Sequence, residues 1–151
     1  MPTAIRSDKI DLSSEKITEK QAKKISKKLK RGNIVFLYGE IGVGKTTFVR
    51  HLINAFQEEN NVKISEVTSP TFNILNEYQI NQLKINHYDL FRLKSAEELK
   101  NLDLFEDIEN TITLIEWPQI IKNKPKNLIE LKFEYAKDHK KRLLQMKGLT
   151  L

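Results

Sequence analysis

Apolar residues recur along this chain in two rhythms, and each predicts its own kind of element. Unbroken, β-branched runs read as buried strands. One is Ile34-Val35-Phe36-Leu37-Tyr38, entered from Asn33, and another is Thr111-Ile112-Thr113-Leu114-Ile115. Helical spacing is the second rhythm, in Ala22, Ile25 and Leu29 and again in Phe48, Leu52, Ile53 and Phe56. Thr18 with Gln21 three residues on predicts a capping box for the first helix, and Arg31-Gly32 predicts its end. Ile10 and Leu12 suggest a short edge strand. Val67-Thr68-Ser69-Pro70-Thr71-Phe72 reads as a short strand broken by proline.

Residues 72–80 and 83–88 read as two strands joined by Asn81-Gln82, a hairpin signal. Ser95-Ala96-Glu97-Glu98 opens a short helix with a cap and an acidic first turn, and a second helical piece follows through Phe105 and Ile108. Residues 128–135 alternate between Ile129, Leu131, Phe133, Tyr135 and the charged Glu130, Lys132, Glu134. Residues 142–147 are placed to pair with them as a closing hairpin.

The stretch Gly39-Glu40-Ile41-Gly42-Val43-Gly44-Lys45-Thr46 lies between the first strong strand and the second helix. It has the G-x-x-x-x-G-K-[ST] spacing of a phosphate-binding P-loop. A loop that wraps an anion turns its backbone N–H groups inward, and glycine permits the dihedrals and the close approach. The positive end of the following helix adds to the attraction. Lys45 is then placed for the β- and γ-phosphates and the Thr46 hydroxyl for Mg²⁺. Thr47 has no clear motif role. A glycine turn before an ordinary helix explains the spacing less well, because three of the five glycines sit in this one turn. The expected fold is therefore α/β: one three-layer P-loop NTPase-like domain over 1–151, with a mixed parallel/antiparallel sheet.

A P-loop site also needs a carboxylate at the end of a neighbouring buried strand to hold the metal or its waters. Glu116 ends the most buried-looking strand, and Asp89 ends another. The plainer alternative for each is a strand-end cap or an ion pair, with Arg92 as a partner. Asn123-Lys124-Pro125-Lys126 lacks the acid of a guanine-reading N-K-x-D motif, and no D-x-x-G occurs. Arg92 is the one arginine between Arg50 and Arg142, which argues against the arginine-rich lid of a small-molecule kinase. His51, His87 and His139 lack metal-ligand spacing, and His87 fits support of the strand end better than acid–base work.

Composition changes this picture little. The chain has 151 residues, 39% hydrophobic and 30% charged, with no cysteine and therefore no disulfide or thiolate metal site. No apolar run approaches the roughly 18 residues of a membrane span. No signal-peptide pattern opens the chain, so a cytoplasmic residence without membrane contact is expected. The net charge of +6 comes from 21 lysines and five arginines. Lys20, Lys23, Lys24, Lys27, Lys28 and Lys30 mark the outer side of the first helix. They read as a solvated face, with docking of RNA or an acidic partner as the alternative.

Four motifs in order carry a resemblance: the loop 39–47, Ser69-Pro70-Thr71, His87-Tyr88-Asp89-Leu90-Phe91-Arg92 and Ile115-Glu116-Trp117-Pro118. Together with Ala96-Glu97-Glu98-Leu99 they resemble the TsaE (YjeE) family over about residues 17–135. That family is the bacterial ATPase of tRNA threonylcarbamoyladenosine biosynthesis. The resemblance implies ATP and Mg²⁺ as cofactors, weak hydrolysis by the protein alone, and action with the TsaD–TsaB pair, which modifies ANN-decoding tRNAs. Contact with tRNA itself would be indirect or weak. It implies that Gly39, Glu40, Ile41, Gly42, Val43, Gly44, Lys45, Thr46 and Thr47 hold nucleotide and that Thr46 and Glu116 hold metal. Asp89 would direct water or metal, Trp117 would lie near nucleotide or partner, and Ser69-Pro70-Thr71 would be a switch-like segment near the γ-phosphate. The alternatives are a small-molecule phosphotransferase and a nucleotide- or RNA-binding module without turnover.

Overall fold

The computed structural model describes residues 9–149. Its strands are β1 (Lys9–Asp11), β2 (Ile34–Tyr38), β3 (Leu75–Ile80), β4 (Leu83–Asp89), β5 (Thr111–Glu116), β6 (Ile129–Ala136) and β7 (Lys141–Lys147). Its helices are α1 (Glu15–Ser26), α2 (Lys45–Glu59) and the single turn α3 (Ala96–Leu99). All seven strands form one sheet in the order β1-β7-β6-β2-β5-β4-β3. The centre, β6-β2-β5-β4, is parallel, and β3, β7 and β1 extend it antiparallel. The expected mixed sheet is what forms.

Period-two alternation sends β2 to both faces. Val35 and Leu37 pack with Ala22 and Ile25 of α1 and with Phe48, Leu52 and Ile53 of α2. Ile34 and Phe36 join Tyr88, Leu90, Leu104 and Ile115 on the other face. That second face is covered thinly, by α3, turns and the 3-10 segments Ile108–Asn110 and Pro118–Ile120. With both faces covered, β2 and β5 have no solvent side, which is why they read as unbroken apolar runs. The hairpin β3–β4 turns at Asn81 with φ 55, a left-handed conformation that asparagine tolerates.

Several sequence expectations are corrected. Helix α1 starts earlier than the Thr18–Gln21 pairing predicted, because Ser14 is its N-cap and accepts the Ile17 N–H at 3.2 Å. Thr18 lies inside the helix and donates to the Ser14 carbonyl at 3.1 Å. The helix also ends at Ser26 rather than at Arg31-Gly32. Gly32 must donate to the Thr111 carbonyl, and Asn33 must accept from the Thr113 N–H, so the chain unwinds to reach β5. Leu29 is still buried, but in the turn that follows. Residues 67–72 form no strand, and β3 begins only at Leu75. Pro70 has no N–H to offer a ladder, and the Thr68 carbonyl is taken by the Asn76 side chain at 3.1 Å. Ser95 occupies the cap position of α3 without a side-chain cap bond, and the piece beyond it is turns and one 3-10 segment. The predicted lysines of the first helix are exposed, and Lys23 lies 3.9 Å from Glu58 of α2. Among the described residues no helix is long and apolar enough to cross a membrane.

One charged residue is buried beside the central strand. Glu130, 6% exposed, accepts from the Tyr38 hydroxyl at 2.8 Å and from Lys124 at 3.0 Å. Burial alone would push its pKa up, but the bonds from Tyr38 and Lys124 and the charge of Lys132 hold it below the usual glutamate range. Its ionised form therefore stabilises the fold fully above the ordinary glutamate pKa, and that contribution is lost as pH falls through the folded value. Glu130→Gln is expected to flatten the acid limb of stability, read as urea midpoints between about pH 3 and pH 7. An acid limb identical to that of the parent protein would show that this network contributes nothing.

Candidate functional site

Parity and register build the site. On β5, Ile112 and Leu114 face the α1–α2 layer, so Glu116 does too. On β4, Ile85 faces the same layer, which puts His87 and Asp89 on that side. The parallel register sets Asp89 directly beside Glu116. Helix α2 starts at the same end of the sheet, so its N-terminus meets both carboxylates.

Gly44, φ 112, is the N-cap of α2, and no side chain caps it. The first amides of the helix are therefore open to an anion. They line a cavity of about 420 Å³, within the usual range for small-ligand sites. Its walls are Gly42, Gly44, Lys45, Thr46 and Thr47 from the loop and helix, Asp89, Glu116 and Trp117 from the strand ends, and Ser69 and Thr71. A larger cavity of about 570 Å³ lies on the opposite face among Leu99, Leu104, Phe105, Ile120 and Ile121. Asp103 and Glu106 border it together with Lys100 and Lys122, but no glycine-rich turn does, so the smaller cavity is the stronger candidate site.

The acids, Lys45 and Thr46 of the cavity each have specific partners. Thr46 donates to the Glu116 carboxylate, 3.2 and 3.3 Å from its two oxygens. His87 Nε2 lies 2.6 Å from Glu116 Oε2. Asp89 accepts from the Thr71 hydroxyl at 3.0 Å and from the Phe91 N–H at 2.9 Å. Lys45 is 4% exposed, donates to the Gly39 carbonyl, and holds its ammonium 3.6 Å from the centre of the Trp117 ring. Burial pushes the Lys45 pKa down, while Glu116 and Asp89 pull it back up. Trp117 reaches this position because it leaves β5 at φ 57, and its ring also packs on Phe91 at 4.9 Å. Positive φ in a residue this bulky costs about 1–3 kcal/mol and persists only where the surroundings impose it.

The donor set suits magnesium. A hydroxyl and two adjacent carboxylates are hard oxygen ligands, and Mg²⁺ ordinarily takes one or two carboxylates with substrate phosphates and water. Among the described residues no cluster of three His, Cys, Asp or Glu side chains competes as a closed metal site.

Of the residues singled out from sequence, Ile41, Gly42, Gly44, Lys45, Thr46, Thr47, Asp89, Glu116 and Trp117 meet in the cavity. Gly39 contributes its carbonyl to Lys45, Val43 points into the core at 1% exposure, and the Glu40 carboxylate lies 3.7 Å from His139. Arg92 does not pair with either carboxylate and instead lies 5.2 Å from the Phe72 ring centre. Two residues escaped the sequence reading. Arg142 forms the far wall of the cavity, and Tyr135, its register partner, donates to the Gly42 carbonyl at 2.7 Å. Only their pairing across β6 and β7 brings them to the loop, and no local signal marks it.

Comparisons with known proteins point to one family and one fold. The sequence profile described as "Threonylcarbamoyl adenosine biosynthesis protein TsaE" matches residues 12–144. The chain is 44% identical over 131 residues to a tRNA threonylcarbamoyladenosine biosynthesis protein TsaE of Rickettsia bellii, covering 86% of this chain and 88% of that one. It is 36% identical to the protein of the same description in Aquifex aeolicus, over 87% of this chain and 90% of that one. The crystal structure of YdiB from Bacillus subtilis shares the fold, with a TM-score of 0.70 at 21% identity, covering 97% of this chain and 88% of that one.

The glycines of the loop are not equivalent. A Cβ on Gly39, φ 149, would lie 2.8 Å from Val43 Cγ1 and 2.9 Å from the Phe133 carbonyl. A Cβ on Gly44 would meet nothing within 4 Å. Gly44→Ala should therefore cost only about 1–3 kcal/mol of backbone strain, while Gly39→Ala adds a clash with fixed backbone. Thermal melts should place Gly39→Ala below Gly44→Ala. Equal midpoints would mean that the loop shifts to absorb the added carbon.

Proposed function

The chain belongs to the TsaE family, and we propose on that basis that it is a Mg²⁺-dependent ATPase serving the threonylcarbamoyladenosine modification of tRNA. The observation that carries this reading is the convergence, in one cavity, of the open N-terminus of α2, Lys45 and Thr46 with Glu116 and Asp89. In this reading the loop amides bind the phosphates and Lys45 leaves the Gly39 carbonyl to reach them. Thr46 and Glu116 hold the metal, and Asp89 orients the attacking water. Bound Mg²⁺ would neutralise charge developing on the transferring phosphoryl group. The Thr71 hydroxyl keeps the Asp89 carboxylate turned into the site, which supports a role for residues 69–71 next to the γ-phosphate.

Lys45, Asp89 and Glu116 are buried at the floor of the cavity, but its rim is exposed at Ile41 and Phe91. Excluding water there would strengthen the electrostatic terms that stabilise phosphoryl transfer. Slow hydrolysis by the isolated protein is therefore expected, with acceleration when a partner covers the mouth. Exposed Ile41 and Phe91 line that mouth, and the exposed Phe72 follows the lining residue Thr71, apolar surface suited to a protein lid. The reading names the TsaD–TsaB pair as that partner and the cytoplasm as the setting. Any contact of the lysines around α1 with tRNA would be secondary and would weaken with salt.

Lys45→Ala is expected to abolish ATP turnover, and Thr46→Ala to weaken Mg²⁺-dependent nucleotide binding. Unchanged turnover in both would remove the phosphate-site reading. Glu116→Ala should lower both metal-dependent affinity and turnover, whereas Asp89→Ala should lower turnover with affinity largely kept. The reverse pattern would exchange their roles. Turnover measured with and without purified TsaD–TsaB, and again with Trp117→Ala, tests the partner. Rapid phosphorylation of a small metabolite without such stimulation would favour a kinase, and tight binding without any turnover would favour a binding module.

A further inference from the structure

His87 is fully buried in the centre of β4, between Asn76 of β3 and Leu114 of β5. It lines no part of the nucleotide cavity. Its Nε2 makes the bond to Glu116 Oε2 at 2.6 Å, and its Nδ1 has no partner in the protein. An imidazole that served only packing would be replaced without loss by an apolar side chain, since an unsatisfied buried nitrogen is a cost. What imidazole supplies here is one bond, to a carboxylate that faces the P-loop.

That bond matters because the other anchor of Glu116 is weak and shared. Thr46 reaches the carboxylate at 3.2–3.3 Å, a long contact for an O–H donor. Thr46 is also a ligand candidate, so its hydroxyl has to serve the metal as well. Asp89, by contrast, is held from loop residues Thr71 and Phe91. Glu116 alone is held from within the sheet, by a side chain on the neighbouring strand.

We propose that His87 is a positioning residue for the metal site, orienting Glu116 towards Thr46 before nucleotide arrives. This rests on the reading of the cavity as a Mg²⁺–nucleotide site. His87 acts through Glu116 and touches neither phosphate nor metal. Outer-shell partners of ligating groups characteristically change metal affinity about 10- to 100-fold when removed.

The test compares His87→Leu, His87→Gln and the parent protein by binding of a fluorescent ATP analogue, titrated with Mg²⁺ and repeated in EDTA. His87→Leu should raise the Mg²⁺ concentration for half-maximal binding about 10-fold or more, with binding in EDTA changed less than about twofold. His87→Gln, whose amide can donate from the Nε2 position, should restore most of the metal response. In a Glu116→Gln background His87→Leu should add no further loss. Should His87→Leu fail to fold by circular dichroism, His87→Asn takes its place, because its shorter amide stops short of Glu116. An unchanged Mg²⁺ midpoint, or an equal loss with and without Mg²⁺, overturns the proposal and leaves the nucleotide site standing. Nucleotide binding by the parent protein that ignores Mg²⁺ would overturn the site reading and this proposal with it.

Discussion

A carboxylate that is 2% exposed must be hydrogen-bonded or neutralised, and Glu116 is such a group at the centre of this molecule. Everything that makes its burial tolerable also builds the site. His87 holds one oxygen, Thr46 approaches both, and Lys45 brings a positive charge close by. The open amides at the start of α2 add the positive end of a helix dipole. The parallel register of β4 and β5 then sets Asp89 beside it, so two acids share one positive environment. Remove that environment and two neighbouring carboxylates would repel each other in a poorly solvated place.

The P-loop is held from both sides of β2. On the β5 side Thr46 meets Glu116, and on the β6 side the Tyr135 hydroxyl bonds the Gly42 carbonyl. Gly39 packs against the Phe133 backbone so closely that no side chain fits. Two bulky residues with strained backbone adjoin the same place. Trp117 adopts φ 57 directly after Glu116, and Ile74 adopts φ 69, where a β-branched residue is a genuine outlier. The Ile74 carbonyl accepts the Asp89 N–H at 2.9 Å, so both strained residues adjoin an acid of the site.

Much of this was legible in local patterns. The unbroken runs of β2 and β5, the helical spacing of α2, the Asn81-Gln82 hairpin and the closing pair β6–β7 all follow from side-chain periodicity and turn chemistry. The P-loop was legible because its backbone conformation demands glycine at set positions. The errors fell where several nearby side chains competed for the same backbone groups. Thr18 looked like a cap, but Ser14 took the role and left Thr18 to bond a carbonyl within the helix. Residues 67–72 looked like a strand by composition, but Pro70 and the Asn76–Thr68 bond leave them no ladder to join.

The sequence by itself therefore determined most of the element types, the glycine-rich turn between β2 and α2 and the two strand-ending acids. Each of these depends on residues within a few positions of one another, where sterics and periodicity act directly. Only the tertiary structure decided that His87 serves Glu116, that Thr71 serves Asp89, and that Tyr135 and Arg142 close the far side of the loop. These contacts join strands and loops whose neighbours are chosen by sheet order and register. Burial of two apolar faces at once sets that order, a sum over the whole chain that no short stretch contains.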